Sequence, residues 1–224
     1  MTKPLTVTRQ GDSRPDNRDF AGSAYNSGIH FHVITDGSSR AGSRELAKAL
    51  TQHLLTSFAE AAPHEVSDRD KALGLILALL ATAHSSICPD FPHASTSYLA
   101  MLVFSDAVIS IHAGDCCLGV LLEGQPINWL NPPHCGPNWK GDLQHSFIAD
   151  SPARKTLFNC MSYRRANEPE VLWFPVLSEA QWVLATDGFW AELAVEKQLG
   201  ALLVQSLDDC SAQDDITFLL LNKP

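Results

Sequence analysis

Basic residues are scarce in this 224-residue chain: 16 Lys and Arg stand against 25 Asp and Glu, a formal net charge of −9. No basic stripe runs along any segment, which argues against nucleic acid as the main partner. Aromatic residues are few, at 8%, and scattered, so no stacking platform for single strands is visible. The sequence holds no G-x-G-x-x-G, no G-x-x-x-x-G-K-[ST] and no G-x-S-x-G. Dinucleotide binding, P-loop chemistry and a serine nucleophile elbow therefore lose their usual signatures. The cysteines (Cys88, Cys116, Cys117, Cys135, Cys160, Cys210) form no C-x-x-C pair and no zinc spacing, and read as reduced, packed thiols. Adjacent Cys116 and Cys117 should point to opposite faces of a strand. The N-terminal stretch has no apolar signal core, and the longest apolar run, residues 72–83, is short of a bilayer span. A soluble cytoplasmic protein with no membrane partner is the expectation.

The length suits one domain, 1–224, able to bury a full core. Residues 29–35 alternate like a strand and stop at Asp36-Gly37. Ser43 looks like an N-cap for a helix over 44–60, with apolar residues at Leu46, Ala47, Leu50, Leu54, Leu55 and Phe58. Asp68 or a neighbour caps a second helix, about 69–84, apolar on nearly every side, a pattern that predicts a sandwiched helix. Strands over 96–104 and 107–113 flank a tight turn at Ser105-Asp106. A strand at 117–122 and another short one follow. Residues 131–170 carry several prolines and weak periodicity, and read as a loop-rich segment over one edge. A strand at 181–186, a helix near 190–206 and a strand at 216–221 complete the chain. Hairpin-linked strands and helices in blocks predict antiparallel sheets with segregated helices.

Within that frame, short aspartate motifs close apolar runs from end to end: Gly11 to Asp19, Val33 to Gly37, His112 to Asp115, Leu184 to Gly188 and Gln213 to Thr217. Carboxylates at strand ends can converge on one edge of a sheet, and converging carboxylates repel one another unless a cation lies between them. The pattern points to a Mg²⁺ or Mn²⁺ site. Each motif alone has a plainer reading: Asp-Gly is a common turn, and Asp115 reads equally as a strand-end turn. Their order and spacing together carry the argument. His30 and His32 share a strand face without a carboxylate at ligand spacing, His112 reads as packed, and His134 is assigned no chemistry.

Taken in order, the motifs resemble those of the protein phosphatase 2C family, the metal-dependent Ser/Thr phosphatases, over essentially the whole chain. Arg14, Arg18 and Asp19 stand in the N-terminal motif. Asp36-Gly37, Ala94-Ser95-Thr96, Gly114-Asp115, Thr186-Asp187-Gly188 and Asp214-Asp215-Ile216-Thr217 follow. The resemblance implies a four-layer α-β-β-α sandwich of two mainly antiparallel sheets (an α+β fold). It also implies a water nucleophile and two Mn²⁺ or Mg²⁺ ions. Asp36 would bridge the ions, helped by the Gly37 carbonyl. Asp187 and Asp214 would complete one shell, Asp19 would lie at the second ion, and Asp115 would hold a third, weaker one. Arg14 would hold the phosphate; Arg40, where some members carry a histidine, is this chain's own candidate to approach it. Substrates would be phosphoserine and phosphothreonine proteins, in a bacterial setting with an opposing kinase.

The chain also departs from the pattern. Arg18 takes an acidic or variable position and must point away or pair with Asp16. Ser38-Ser39 follow Asp36-Gly37, Cys116-Cys117 replace Ser-Arg, Asp215 replaces Asn, and the flap-like 131–170 segment is short. A second reading therefore stays open, a weak or inactive phosphatase-fold module that binds a phosphoprotein or kinase. A third is a phosphatase for small phosphoesters.

Overall fold

A computed structural model describes residues 4–165 and 167–221; the two ends of the expected 1–224 domain and residue 166 of the loop-rich segment lie outside them. In chain order the strands are β1 Leu5–Arg9, β2 Asp19–Asn26, β3 Ile29–Gly37, β4 Ser95–Val103, β5 Ala107–Ala113, β6 Cys117–Leu121, β7 Asn128–Trp129, β8 Met161–Ser162, β9 Glu170–Pro175, β10 Gln181–Ala185 and β11 Ile216–Leu221. The helices are α1 Ser43–Glu60, α2 Arg69–Ser86, α3 His145–Ala149, α4 Asp187–Trp190 and α5 Val195–Val204. Two sheets result, one in the order β1-β11-β10-β6-β7 and the other β2-β3-β4-β5-β9, with β8 joined to β4. Every strand pair is antiparallel.

Three apolar cores bind four layers. Phe31, Val33, Tyr98 and Ile109 point from one face of the second sheet to Leu50, Leu54 and Phe58 of α1 and to Ile76 and Leu80 of α2. From its other face Ile34, Leu99, Met101 and Val108 meet Leu118, Trp182, Leu184 and Leu219 of the first sheet. The outer face of that first sheet packs Val183, Ala185 and Phe218 against Phe189, Trp190, Ala201 and Leu202. Side chains alternate between faces along each strand, so the neighbours in β10 divide between two cores. Cys116 lies in the inter-sheet core and Cys117 in the outer one, as adjacent strand residues should. All six cysteines are buried and unbridged. The arrangement is the expected α-β-β-α sandwich.

Several local expectations change. Residues 5–9, 19–26 and 170–175 are strands that periodicity did not reveal. The expected helix near 190–206 divides into α4 and α5. Asp68 does cap α2, accepting from the Lys71 N–H at 2.9 Å. Ser43 does not cap α1: it is the first helical residue, preceded by Gly42. Its hydroxyl is instead bonded to Ser38 at 2.9 Å and to the Ser95 N–H at 3.2 Å, tying helix to sheet. Nor is α2 sandwiched. It lies on the outside and buries Ala72, Ile76, Leu80 and Ala83, leaving Gly74, Ala78 and Ala81 exposed. The stretch Arg69–Asp90 has a mean hydropathy of 1.7 and is long and apolar enough to cross a membrane by length and composition, unlike the shorter run read from the sequence. Yet its inner stripe belongs to the α1–sheet core.

Phe31 is fully buried and its ring lies 4.7 Å from that of Phe58, so it joins α1 to β3, the strand that ends at Asp36. Phe31→Ala should cost about 4 kcal/mol of unfolding free energy, read as a lowered urea midpoint at unchanged slope.

Candidate active site

The strand ends bring the aspartates together. β2 and β3 pair in a register that sets Asp19 opposite Asp36, and Asp36 opposes Ser97 of β4. Asp115 lies in the turn between β5 and β6, Asp187 opens α4 directly after β10, and Asp214 lies just before β11. A cleft of about 100 Å³ is lined by Arg14, Asp36, Asp115, Asp187 and Asp214 together with Ser and Thr side chains of residues 38–39 and 95–97. Asp19 is buried behind it. Five carboxylates from five separate strand ends thus share one small region between the two sheets.

Two glycines make the convergence possible. Gly114 has φ +109°, and a Cβ there would lie 2.2 Å from the Ser97 hydroxyl. Only glycine takes that conformation at little cost, and it brings Asp115 within 2.7 Å of Ser97 Oγ. At Gly188 a Cβ would meet the Asp215 carbonyl at 2.0 Å, so the Asp187 turn and the start of β11 could not approach.

The carboxylates are poorly neutralised. Asp19 Oδ2 accepts from Thr186 Oγ1 at 2.8 Å, but Asp19 Oδ1 and Asp187 Oδ1 are buried with no hydrogen-bond partner among the described residues. Burial, then the charges of Asp19, Asp187, Asp115 and Asp214, pushes the Asp36 acid well above the ordinary carboxylate range. Burial likewise pushes Asp19 well up, against the Thr186 and Thr217 hydrogen bonds. Asp115 is raised to about 7 by burial and by Asp187. Asp187 is raised by burial and Asp214, with Arg154 acting against them. Buried charges of one sign demand a counter-charge, and unpartnered buried oxygens are what a bound cation would satisfy. The donor set is all hard oxygen, which suits Mg²⁺ or Mn²⁺.

Side chains provide part of that counter-charge. Arg14 pairs with Asp214, its Nε donating at 2.6 Å, and also bonds Ser39. Arg154 is buried and pairs with Asp187, reaching Glu192 Oε1 at 2.8 Å with its other amino group. Neither Arg154 nor Glu192 stood out in the sequence, because Arg154 joins Asp187 and Glu192 across 33 and 38 residues and a loop without periodicity. The 131–170 segment does more than cover an edge: Lys155 and Leu157 also form the cleft wall.

The remaining expected residues fall outside the cleft or support it. Arg18 points away, its Nε donating to Asp16 at 2.9 Å and its Nη1 to the Ser38 carbonyl. Asp215 accepts from the N–H groups of Gly11 and Arg18, each at 2.9 Å, and so orders the N-terminal loop rather than the cleft. Gly37 ends β3 and donates to the Arg18 carbonyl. Arg40 lines a neighbouring hollow, not the carboxylate cleft. His112 and His134 stack at 4.6 Å, and His134 Nε2 lies 2.9 Å from Glu170, so His112, read as packed, and His134, assigned no chemistry, form a small network with β9. The three possible ligand atoms lie within 4.8 Å of one another, apart from the aspartates.

No protein-family model matches the chain, and no curated protein matches it in sequence. Solved structures do match in fold. The chain is similar to the serine/threonine phosphatase of S. agalactiae, with TM-score 0.83 and 19% identity over 97% of this chain and 98% of that one. It is similar to serine/threonine phosphatase Stp1 from Staphylococcus aureus, with TM-score 0.81 and 19% identity over 99% and 94%. The PPM Ser-Thr phosphatase MsPP from Mycobacterium smegmatis, in complex with cacodylate, matches with TM-score 0.78 and 18% identity over 100% and 99%. The two-sheet fold is therefore that of the bacterial PPM phosphatases.

Two measurements follow on metal-free protein. Removing Arg154 leaves Asp187 and Glu192 uncompensated, so Arg154→Ala should cost about 3 kcal/mol in chelator, lowering Tm by roughly 5–10 °C. The loss should shrink in Mn²⁺; an equal loss in both would mean that Arg154 shares nothing with a cation site. The second concerns pH. An acid raised in the folded state binds protons more tightly there, so its contribution falls as pH rises from about 4 to its folded value. For Asp115 that value is about 7. Buried His32 and His112 and half-buried His145, lowered to about 3, 4 and 4, act in the opposite direction. The effect is therefore a difference: Asp115→Asn should gain stability over wild type progressively between about pH 4 and 7 in chelator. A pH-independent difference would show that Asp115 is not so raised.

Proposed function

We propose that this protein is a metal-dependent phosphatase that hydrolyses phosphoserine and phosphothreonine in proteins. The observation that carries the reading is the convergence of Asp19, Asp36, Asp115, Asp187 and Asp214 around one cleft, with two of their buried oxygens unpartnered among the described residues. Asp36, central among the charges that act on it, is the candidate to bridge two ions, helped by Gly37. Asp187 and Asp214 are candidates for one shell, Asp19 for the second, and Asp115 for a third, weaker site. Mn²⁺ or Mg²⁺ bound there would supply positive charge to phosphate oxygens and lower the pKa of a water.

What the chain itself contributes is binding and exclusion. Arg14 stands at the cleft, its guanidinium on Asp214 and Ser39, and is the candidate to bind phosphate oxygens. No histidine lines the cleft among the described residues, so no Ser–His pair is available. The hydroxyls of Ser38 and Ser95 are bonded to each other at 3.0 Å, and that of Ser97 to Asp115. Cys116 and Cys117 are buried, and burial, then nearby aspartates, raises both thiols well above their ordinary values, so neither is a nucleophile. The Ser39 hydroxyl accepts from Arg14 and that of Thr96 donates to the Asp36 carbonyl at 2.8 Å, and water is the attacking group we assign, as the family resemblance implies. The names of the similar structures, all serine/threonine phosphatases, support the substrate class, as does the retained aspartate set against the inactive-module reading. Six unbridged cysteines suit the cytoplasm, and an opposing kinase is the natural partner of such an enzyme.

The test is p-nitrophenyl phosphate hydrolysis with and without Mn²⁺. Turnover should require the ion, and Asp187→Ala or Asp36→Asn should reduce it at least roughly 100-fold in folded protein. Arg14→Ala should mainly raise KM, by about tenfold. Absence of turnover in Mn²⁺ and Mg²⁺ from folded protein would sink the reading and favour a binding module. Turnover of metabolite phosphates above phosphopeptides would instead make the substrate a small phosphoester.

A further inference from the structure

Beside the cleft lies a second hollow of about 430 Å³. Ser38, Ser95, Lys155 and Leu157 line both, so the two open into each other. The second hollow adds Arg40, Arg164 and Arg165, and no carboxylate lines it among the described residues. In a chain of net charge −9, four cations around one hollow are the reverse of the average surface. They repel one another as the aspartates next door do, and an anion relieves that repulsion.

The cations stand on fixed supports. Arg165 Nη1 donates to the carbonyls of Leu157 and Phe158 at 2.9 and 3.3 Å. Arg164 Nη2 lies 2.7 Å from His93 Nδ1, and Lys155 Nζ lies 3.3 Å from Glu192. The floor is Ala94, Cys160 and Ser162, all buried, and β8 holds it by pairing Ser95 with Ser162.

We propose that this hollow receives a second anionic side chain of the same substrate segment, a carboxylate or a second phosphate, while the scissile phosphate occupies the aspartate cleft. The inference rests on the phosphatase reading and narrows its substrate class to phosphoprotein segments with an acidic or multiply phosphorylated flank. Arg40, Lys155 and Arg164 would hold the anion by charge-assisted hydrogen bonds. An extended chain advances roughly 3.3–3.6 Å per residue, so the second anion belongs within a few residues of the first.

The experiment compares three peptide series carrying one phosphothreonine. The first has a neutral flank, the second an aspartate at successive flanking positions, and the third a second phosphothreonine at the same positions. Turnover in Mn²⁺ and fluorescence-anisotropy Kd in chelator are both read, for wild type, Arg164→Ala and Arg164→Glu, with melting curves to check folding. An anionic flank at the right position should lower KM and Kd about tenfold relative to the neutral peptide. Arg164→Ala should remove most of that advantage and Arg164→Glu should reverse it. An advantage for both anions means a general anion site, and one for the second phosphate alone a phosphate site; either supports the proposal. Equal values for all peptides, or an advantage that survives both Arg164 variants, overturns it. Should p-nitrophenyl phosphate not be hydrolysed at all, the phosphatase reading fails, and the Kd comparison still decides the hollow.

Discussion

Repulsion among carboxylates is the constraint on which this structure turns. Asp19, Asp36, Asp115, Asp187 and Asp214 are drawn into one region between two sheets, with part of their charge sealed from water. Such an arrangement opposes folding, and every acid whose pKa is raised there registers that opposition. The three apolar cores offset it. They are continuous along the sandwich, so strand ends far apart in sequence are held against their own electrostatics. Strain concentrated at one place and supported by packing elsewhere is how functional sites persist in folded proteins.

Cations from the chain answer the same repulsion in two ways. Arg14 leans on Asp214 at the cleft, and Arg154 is buried against Asp187 and Glu192. An arginine keeps its charge at any working pH, so the positive partner of each pair persists. Arg154 reaches the cluster from the turn Pro152–Lys155, within the irregular segment, so loop and aspartates are linked. Arg154 and a cation held at Asp187 would share one carboxylate, so the loop and the proposed site would be linked electrostatically.

How much of this could be read from sequence depends on the range of the interaction. The motifs ending at Asp36, Asp115, Asp187 and Asp214 are legible because alternation marks the strand and Asp-Gly or Gly-Asp marks its end, both within a few residues. The helix over 69–86 is legible for the same reason, but its exposure is not: a helix apolar all round looks buried, and only the placement of α1 decides which side is covered. β2, with Gly22 and small residues at Ala21, Ser23 and Ala24, lacks the branched side chains that signal a strand; it exists because β3 pairs along its whole length. β9, at the sheet edge, is no better marked. Ser43 resembles a cap by position, yet its hydroxyl is claimed by Ser38 and Ser95 from another element. Arg154 and Glu192 had no local signal at all.

Average charge misleads in the same manner. A net of −9 implies a surface that on average repels anions, yet the five aspartates of the cleft account for a large share of that excess and are turned inward. Beside those aspartates stand Arg14 and Lys155 in the cleft and Arg40, Arg164 and Arg165 in the adjoining hollow. The irregular 131–165 segment supplies Arg154 to the aspartates and Lys155, Arg164 and Arg165 to the hollow, so one piece of chain faces both the aspartate cleft and the cationic hollow. Its short length agrees with that double placement. β8 fastens the segment to the strand that carries Ser97, and the pairing holds its cations beside the cleft without the aid of a longer independent lobe.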